Sequence, residues 1–279
     1  MMKKKICLLI IGKNSFIANN IYNILKNKIY IKKISYRNFL LLKNEYLIKF
    51  NFIANCSLHP KYVQNKYNKN FDLDFKILNK IEGLNINFIF FSTRKVYRPG
   101  FNINEKQLLS PQDNYASNKI VTESLVKKLL PDNYLILRIS NIIGLRTTSN
   151  KKQVHKLFID NFINYKRNKN IPKYEGVYKD FISVMQFTEI FLLILKKNLK
   201  GIFNISLGKK IFLDDIVDWL TYYSDNTFKL QNLNDKKKDF NSDSFTLNNN
   251  KIKKILNISI SKKDLKSFCI NLSRKLFSK

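Results

Sequence analysis

The chain has 279 residues, of which 44% are hydrophobic, enough for a full core and for one or two domains. Its 51 Lys and Arg against 20 Asp and Glu give a formal net charge of +31, which raises nucleic acid and anionic membranes as partners. The lysines, however, are spread along the whole length among Asn and Ile, and Arg, the usual reader of bases and phosphates, is scarce. This distribution indicates a coding bias, so we expect no specific nucleic-acid partner.

The three cysteines, Cys7, Cys56 and Cys269, are not clustered, and the chain has only two histidines, His59 and His155. An odd, scattered set favours free thiols in a reducing compartment and argues against a zinc site. We therefore predict that the protein binds no metal.

Two apolar runs resemble membrane segments but are too short. Residues 6–11 follow three lysines, as in a signal peptide, yet they lead into Gly12 without a small-residue cleavage site. Residues 190–195 cannot span a bilayer and are followed by two lysines. We expect a soluble cytoplasmic protein that does not enter a membrane.

The first 145 residues alternate apolar, strand-like runs with amphipathic helical patterns. The predicted strands are residues 6–11, 29–34, 46–50, 52–56, 88–91 and 134–139. The predicted helices include residues 15–25, 71–81 and 115–130. Fully apolar strands that alternate with helices predict an α/β fold, with a parallel sheet covered on both faces and right-handed crossovers.

Beyond Gly144 the pattern is less regular. Residues 146–152 are polar and we expect them to be mobile, and residues 163–173 form a second basic, Asn-rich stretch. Residues 201–206 predict a strand that returns to the sheet. From about residue 212 the pattern predicts a helix with Ile216, Val217, Trp219 and Leu220 buried. The polar segment 232–250 is interpreted as a long loop.

The first predicted strand leads into Gly12, Lys13, Asn14 and Ser15 and then into a helix, which is where the pyrophosphate of a dinucleotide rests in such sheets. Of the three glycines typical of this turn only Gly12 is present, although Ser15 and Ala18 are small. The alternative is an ordinary strand-to-helix turn.

Ser35, Tyr36 and Arg37 follow the second predicted strand. An acidic residue at this place would bind the ribose 2′-hydroxyl of NAD, whereas an arginine can meet the 2′-phosphate of NADP. Arg37 therefore favours NADP, with a solvated loop arginine as the alternative.

A Tyr-x-x-x-Lys pair places both side chains on one face of a helix, where the ammonium can favour the phenolate and let the tyrosine act as acid or base. The sequence contains four such pairs: Tyr22/Lys26, Tyr62/Lys66, Tyr115/Lys119 and Tyr165/Lys169.

Sequence context selects Tyr115 and Lys119 from the four pairs. Only Tyr115 follows an apolar strand that ends in Ser92 and Thr93, and only it opens an amphipathic helix. The predicted apolar face of this helix consists of Ile120, Val121, Leu125 and Leu129. We propose Tyr115 and Lys119 as catalytic residues, with the Thr93 hydroxyl to hold the substrate oxygen.

Together these segments resemble the extended short-chain dehydrogenases/reductases, a family of NAD-dependent epimerases and dehydratases. The resemblance covers most of the chain in order, and its most specific parts are the Tyr115/Lys119 pair and segment 91–97, in which Thr93 takes the place of the catalytic Ser or Thr. Residues 137–144 are similar to the family's Leu-Arg-x-x-Asn-x-x-Gly run, and residues 179–184 to its Arg-Asp-Phe-Ile-His-Val run. Segments 12–18, 53–57 and 201–206 resemble its Gly-rich turn, its run beside the cofactor and its Gly-x-Tyr-Asn-Ile strand.

The resemblance implies a Rossmann-type doubly wound parallel sheet with a smaller, mostly helical C-terminal substrate domain. It implies that residues 1–144, with about 188–206, bind NADP or NAD, and that about 145–187 and 207–279 bind the substrate. The implied cofactor-binding residues are Gly12, Asn14, Ser15, Phe16, Ile17, Arg37, Asn55, Cys56, Ser57, Tyr115 and Lys119. The implied substrate contacts are Thr93, Arg94, Asn141 and Asp180. It also implies that the chain can form a homodimer through the Tyr115 helix.

The implied activity is hydride transfer at a keto or hydroxyl carbon of a nucleotide sugar, in the synthesis of sugars for surface polysaccharides. Two alternatives remain open: a nucleotide-sugar 4-epimerase that retains NAD, and a non-catalytic Rossmann-fold binding protein, because two of the three turn glycines are replaced. The length is nearest to the dTDP-4-dehydrorhamnose reductase type, and no further acid/base pair stands out, which favours simple reduction.

Overall fold

A computed structural model describes residues 5–146, 157–168, 170–174, 176–224, 229–232 and 244–278. The strands are β1 Cys7–Ile11, β2 Tyr30–Ile34, β3 Phe52–Asn55, β4 Asn87–Thr93, β5 Tyr134–Ile139, β6 Asn141–Ile143, β7 Asn170–Lys173, β8 Tyr178–Lys179, β9 Phe181–Ser183, β10 Gly201–Ile205, β11 Ile211–Phe212 and β12 Lys229–Asn232. The helices are α1 Phe16–Leu25, α2 Tyr36–Leu40, α3 Asn44–Leu47, α4 Pro60–Gln64, α5 Leu73–Ile81, α6 Asn114–Leu129, α7 Phe158–Arg167, α8 Val184–Lys196, α9 Leu213–Thr221, α10 Asn250–Leu256 and α11 Lys262–Phe277.

A six-stranded parallel sheet lies at the centre, in the order β10-β5-β4-β3-β1-β2. Its inner strands are apolar at nearly every position because helices cover both faces. In β1, for example, Leu8 and Ile10 pack with α1 and α8, whereas Leu9 and Ile11 pack with α5 and α6. The predicted doubly wound α/β sheet is thus confirmed.

The winding of the sheet reverses beside β1. From β1 the chain passes to β2 on one side and then to β3 on the other. Open parallel sheets bind ligands in the crevice outside the carboxyl ends of the strands at such a reversal. The turn after β1 and the segment after β3 therefore flank the expected binding crevice.

The predicted strand at residues 46–50 is wrong, because part of this segment forms the short helix α3. Leu47 and Phe50 are buried three positions apart, and Ile48 between them is 61% exposed. That spacing is helical and does not fit the two-residue alternation of a half-buried strand. β2 ends the strand order and is an edge strand of the sheet. Its Lys32 and Lys33 disfavour pairing of this edge with another chain.

Helix α6 forms as predicted, within one residue at each end, but its buried face is largely polar. Val121, expected on the apolar face, is 37% exposed. Asn118, Lys119, Thr122 and Glu123 are buried instead. Thr122 Oγ1 donates to Asp72 Oδ2 over 2.7 Å, and Glu123 forms a 2.6 Å ion pair with Arg138. These partners satisfy the buried Thr122 and Glu123 side chains and hold the helix against its neighbours.

A second hydrophobic cluster lies among the elements after β5. It gathers apolar side chains of α7, α9, α11 and the short strands, including the predicted Ile216, Val217, Trp219 and Leu220. Strand β10 returns to the sheet beside β5, as predicted. Residues 163–173, for which no element was predicted, contain the end of α7 and the strand β7.

Residues 244–249 of the predicted long loop 232–250 form neither a helix nor a strand, as predicted, but they are largely buried. Phe245 and Leu247 are each 1% exposed. The Ile103 N–H donates to the Thr246 carbonyl, and the Thr246 N–H to the Gly100 carbonyl, each over 2.9 Å. This buried strap, residues 244–249, packs against the loop after β4. Residues 233–243, and residues 147–152 of the predicted mobile loop, lie outside the described part of the chain.

Within the described ranges, none of the helices combines the length and apolar character needed to cross a membrane. All three cysteines are free thiols. The same ranges contain no group of three His, Cys, Asp or Glu side chains arranged to hold a metal ion.

Candidate active site

A cavity of about 660 Å³ opens at the carboxyl ends of β1, β3, β4 and β5. Most of the predicted site residues line it, although they come from segments far apart in sequence. These residues are Gly12, Asn14, Ser15, Phe16, Ile17, Asn55, Cys56, Ser57, Thr93, Tyr115, Lys119 and Asn141.

The turn after β1 closes one end of the cavity around Gly12. Gly12 has φ of +99°, which L side chains rarely adopt, and a Cβ built there would lie 2.8 Å from both the backbone N and the Oγ of Ser57. The Ser15 N–H donates to the Gly12 carbonyl over 2.9 Å, so the chain turns directly into α1. The remaining N–H groups of the first turn of α1 lack partners within the helix and favour an anion at its N-terminus.

Thr93, Tyr115 and Lys119 lie at the other end of the cavity. Thr93 ends β4, and its Oγ1 accepts a hydrogen bond from the Lys95 N–H over 3.3 Å. Tyr115 opens α6, because the Asp113 side chain caps that helix through the Ala116 N–H over 2.8 Å. The predicted catalytic trio thus lies on a strand end and a helix start that face one cavity.

Lys119 is buried, with only 5% of its surface exposed. Its Nζ lies 4.3 Å from the centre of the Phe90 ring and 5.8 Å from that of Tyr115. Its ion-pair partner is Asp74, whose Oδ2 is 4.0 Å away. Burial lowers the pKa of Lys119, and the Asp74 carboxylate acts most strongly against that shift.

The expected lowering of the Tyr115 pKa is not found in this arrangement. Burial raises the pKa of Tyr115, and the carboxylates of Asp74 and Asp113 raise it further. The Asp74 charge offsets the Lys119 ammonium, so little net positive charge reaches the phenol. Tyr115 therefore carries its proton at neutral pH and is suited to donate it.

Two predicted substrate contacts lie outside the cavity lining. Arg94 is 8% exposed, and its guanidinium carbon lies 3.8 Å from the centre of the Phe245 ring, on the buried strap. Asp180 is fully buried and accepts hydrogen bonds from the backbone N–H groups of Leu207, Gly208 and Leu247. Both side chains join segments of the fold, and their role as substrate contacts stays a prediction.

Arg37, the predicted partner of a 2′-phosphate, is exposed on α2. It does not line the cavity itself, although the two residues before it, Ser35 and Tyr36, do. Arg37 therefore lies beside the crevice, after the carboxyl end of β2.

Three residues of this region were not predicted from the sequence: Lys13 and Arg146, which line the cavity, and Asp74, which lies behind Lys119. Lys95, which the sequence offered as a diphosphate contact or as part of the lysine bias, also lines the cavity. In so basic a chain single cations carry no local signal, and Asp74 resembles an ordinary acidic residue in the first turn of a helix. Among the described lining residues there is no Asp or Glu, although Lys95, Lys119 and Arg146 form ion pairs with Asp113, Asp74 and Asp160.

No protein-family model matches the sequence, and a search of curated proteins finds no match. Solved structures show the same fold. The UDP-N-acetylglucosamine 4-epimerase from Methanobrevibacter ruminantium M1, in complex with UDP-N-acetylmuramic acid, has a TM-score of 0.79 at 18% identity, covering 97% of this chain and 98% of that chain. A dTDP-4-dehydrorhamnose reductase from Clostridium acetobutylicum ATCC 824 has a TM-score of 0.73 at 16% identity, covering 96% and 99%. The dTDP-glucose 4,6-dehydratase from Bacillus anthracis str. Ames, in complex with NAD, has a TM-score of 0.72 at 16% identity, covering 97% of each chain.

Likeness at these identities shows the fold. The Rossmann-type fold, predicted from the resemblance to extended short-chain dehydrogenases/reductases, is confirmed over nearly the whole chain.

Proposed function

We propose that the protein is an NAD(P)-dependent enzyme that transfers hydride at a keto or hydroxyl carbon of a nucleotide sugar. The main support for this proposal is that the Gly12 turn, Thr93, Tyr115 and Lys119 all line one cavity. Its volume, about 660 Å³, is in the range of small-molecule sites. Proteins of the same fold have been solved with UDP-N-acetylmuramic acid and with NAD, which supports the ligand classes.

The residues of the Gly12 turn fit a dinucleotide. Gly12 turns the chain at a positive φ into α1, and the N-terminus of that helix offers backbone N–H groups to a pyrophosphate. Lys13 adds positive charge to the wall, whereas the charge of Arg146 is paired with Asp160. A bound nicotinamide would supply or accept the hydride.

Tyr115 is the proton donor in this proposal, and Thr93 holds the oxygen that receives the proton. Thr93 Oγ1 already accepts from Lys95, so its own hydrogen can be donated to a sugar oxygen. Because the pKa of Tyr115 is raised, the protonated phenol suits reduction of a keto group, in which an alkoxide must gain a proton. This supports a reductase over the other enzymes of this fold.

We infer a preference for NADP from the charges at the carboxyl ends of β1 and β2. Arg37 follows β2, and Lys13 lies close enough to Lys33 that its charge lowers the pKa of Lys33, after burial as the main cause. Such a cluster favours a 2′-phosphate over a hydroxyl. The free cysteines fit a reducing compartment, and we place the reaction in the cytoplasm, in the synthesis of sugars for surface polysaccharides.

A 4-epimerase that retains NAD is the second candidate. Its support is the TM-score of 0.79 with the UDP-N-acetylglucosamine 4-epimerase. NAD that copurifies with the protein and interconversion of a UDP-sugar with its 4-epimer, without added cofactor, distinguish this candidate from the reductase.

Replacing Tyr115 by Phe tests the assignment. We expect the turnover number with NADPH and a 4-keto nucleotide sugar to fall by a factor of about 10² to 10⁴, because the acid is removed. The dissociation constant of NADPH should change by less than about twofold, since packing of the ring is kept. The assay follows NADPH oxidation against a panel of UDP- and dTDP-4-keto sugars.

Tyr22→Phe is the matched control, because Tyr22 and Lys26 have the same spacing but do not line the cavity. That variant should keep wild-type turnover. An unchanged turnover in Tyr115→Phe would remove Tyr115 from the chemistry.

A further inference from the structure

Asp74 is a buried carboxylate directly behind the proposed catalytic residues. It lies in the first turn of α5, is 3% exposed and does not line the cavity. Its Oδ2 lies 4.0 Å from Lys119 Nζ, and its Oδ1 accepts a hydrogen bond from Asn55 Nδ2 over 2.8 Å. The Asp74 carboxylate therefore pairs with two residues that line the cavity, Lys119 and Asn55.

Lys119 depends on this carboxylate for its charge. The rest of its surroundings is largely aromatic, with the rings of Phe90, Tyr62 and Tyr115 within 5.8 Å of Nζ. A buried ammonium without a counter-charge loses its proton readily. Asp74 is the carboxylate that most opposes this loss, ahead of Asp72.

Asp74 is also connected to the cofactor end of the cavity. Asn55 Nδ2 donates to the Ser57 carbonyl over 3.2 Å as well as to Asp74, and Asn55 Oδ1 accepts from the Ser57 N–H over 2.8 Å. Ser57 is the residue that a Cβ at Gly12 would meet. A continuous path thus runs from Lys119 through Asp74, Asn55 and Ser57 to Gly12.

We propose that Asp74 is a positioning residue, which keeps Lys119 charged and oriented beneath Tyr115 and aligns the Asn55–Ser57 segment against the Gly12 turn. The inference rests on the proposed function, since it gives Asp74 a task within the same site. Asp74 acts through Lys119 and Asn55 and does not touch the reacting atoms.

The charge of the pair should change near neutral pH. Burial raises the pKa of Asp74 to about 7, although the Lys119 ammonium and the Asn55 hydrogen bond act against the shift. Besides Lys119, the titratable groups that face Asp74 are Tyr36 of α2, Cys56 after β3, Tyr62 of α4, Tyr67 and Asp72 before α5, and Tyr115 of α6. Below neutral pH, protonation of Asp74 removes the counter-charge, and Lys119 then loses its proton more easily.

The test replaces Asp74 by Asn and follows Lys119 itself. In protein labelled with ¹³C at the lysine Cε atoms, the Lys119 signal is assigned by its loss in Lys119→Met, and its pH titration gives the pKa. We expect Asp74→Asn to lower the pKa of Lys119 by about one unit or more. We also expect the turnover number with NADPH to fall about tenfold and its pH dependence near neutrality to disappear, while the KM for NADPH changes less than about threefold.

Asp72→Asn is the matched control, because it removes the same charge, also buried, two residues away. The Asp72 carboxylate caps α5 and accepts from Thr122, so this variant should lower the melting temperature. It should shift the pKa of Lys119 less than Asp74→Asn does, because its effect on Lys119 ranks behind that of Asp74.

An unchanged Lys119 pKa in Asp74→Asn overturns the proposal. If that variant does not fold, the wild-type titration decides: coupled groups show each other's titration steps, so a flat Lys119 signal through the titration of Asp74 contradicts the pairing. A shifted Lys119 pKa in a protein that binds neither NADPH nor NADH keeps the pairing and rejects the proposed function. The two claims therefore fail separately.

Discussion

Gly12 determines how closely two loops of the cavity approach each other. Its positive φ and its 2.8 Å clearance to Ser57 leave no room for a side chain. Ser15 and Ala18 stand where further glycines are expected, yet the turn still forms, with the Ser15 N–H bonded to the Gly12 carbonyl. A single glycine is enough here because, among residues 12–18, Gly12 alone has a positive φ.

Replacing Gly12 by Ala should therefore weaken cofactor binding as well as stability. A strained φ costs about 1–3 kcal/mol, and the contact with Ser57 must also be relieved by moving a loop of the cavity. We expect a lower melting temperature and a dissociation constant for NADPH at least about tenfold higher. Gly83→Ala is the control: its φ is +76°, but nothing lies within 4 Å of the added Cβ, so that variant should lose stability and keep NADPH binding. Equal NADPH affinity in both variants would refute the role of the close approach.

Tyr115 and Lys119 show what residue spacing predicts and what it leaves out. The four-residue spacing and the preceding strand were enough to choose this pair among four, and the structure places both side chains in the cavity. The spacing did not predict the raised pKa of Tyr115, because that depends on burial and on Asp74. Asp74 comes from a different helix, and no local pattern connects it with Lys119.

At the scale of elements, long apolar strands were predictable and short or polar elements were not. Strand β5 was predicted over its full extent, and β1, β3 and β10 to within a residue or two, because apolar runs between turns are typical of buried parallel strands. α3 was taken for a strand, since a four-residue helix contains too few turns to show its period. The buried strap at residues 244–249 was missed because its polar composition hides contacts made with residues 100–103.

The Asp180 carboxylate connects three segments of the chain by hydrogen bonds. It follows β8, and its carboxylate accepts from the N–H groups of Leu207 and Gly208, after β10, and of Leu247 in the strap. Asp180→Asn puts an amide NH₂ where backbone N–H groups need an acceptor, at a cost of about 1–3 kcal/mol. We expect a lower melting temperature with near-normal turnover in the folded protein, as measured by calorimetry and NADPH oxidation.

The raised pKa of Asp180 should also affect how the stability of the protein depends on pH. Burial raises its pKa to about 7 in the folded protein, against about 3.9 in an unfolded chain. The folded state then binds more protons between these values, so this group lowers the free energy of unfolding as pH rises from about 4 to about 7. Asp180→Asn should flatten that slope, whereas the exposed Asp132→Asn should not change it. A slope equal to that of the wild type would contradict the raised pKa.

At the scale of the whole molecule, part of the positive charge that gives a net charge of +31 lies at the cavity. Lys13, Lys95, Lys119 and Arg146 line the cavity, and the last three form ion pairs with Asp113, Asp74 and Asp160. The excess positive charge of the whole chain attracts ligands of the opposite sign, and a dinucleotide or a nucleotide sugar carries several phosphate charges. Homodimer formation through the Tyr115 helix stays a prediction, as do the domain boundaries.

The most direct test of the central claim is titration of the purified protein with NADPH and with NADH, followed by nicotinamide fluorescence. A salt concentration of about 0.15 M screens nonspecific attraction to so basic a chain. We expect saturable binding of NADPH. Arg37→Ala should weaken it about tenfold or more through loss of a charge-assisted contact, and Lys43→Ala, at an exposed site outside the cavity lining, should leave it unchanged. NAD already bound to the purified protein would favour the 4-epimerase. Binding of neither nicotinamide to a protein free of bound cofactor would contradict the enzyme proposal and leave a Rossmann-type fold without its chemistry.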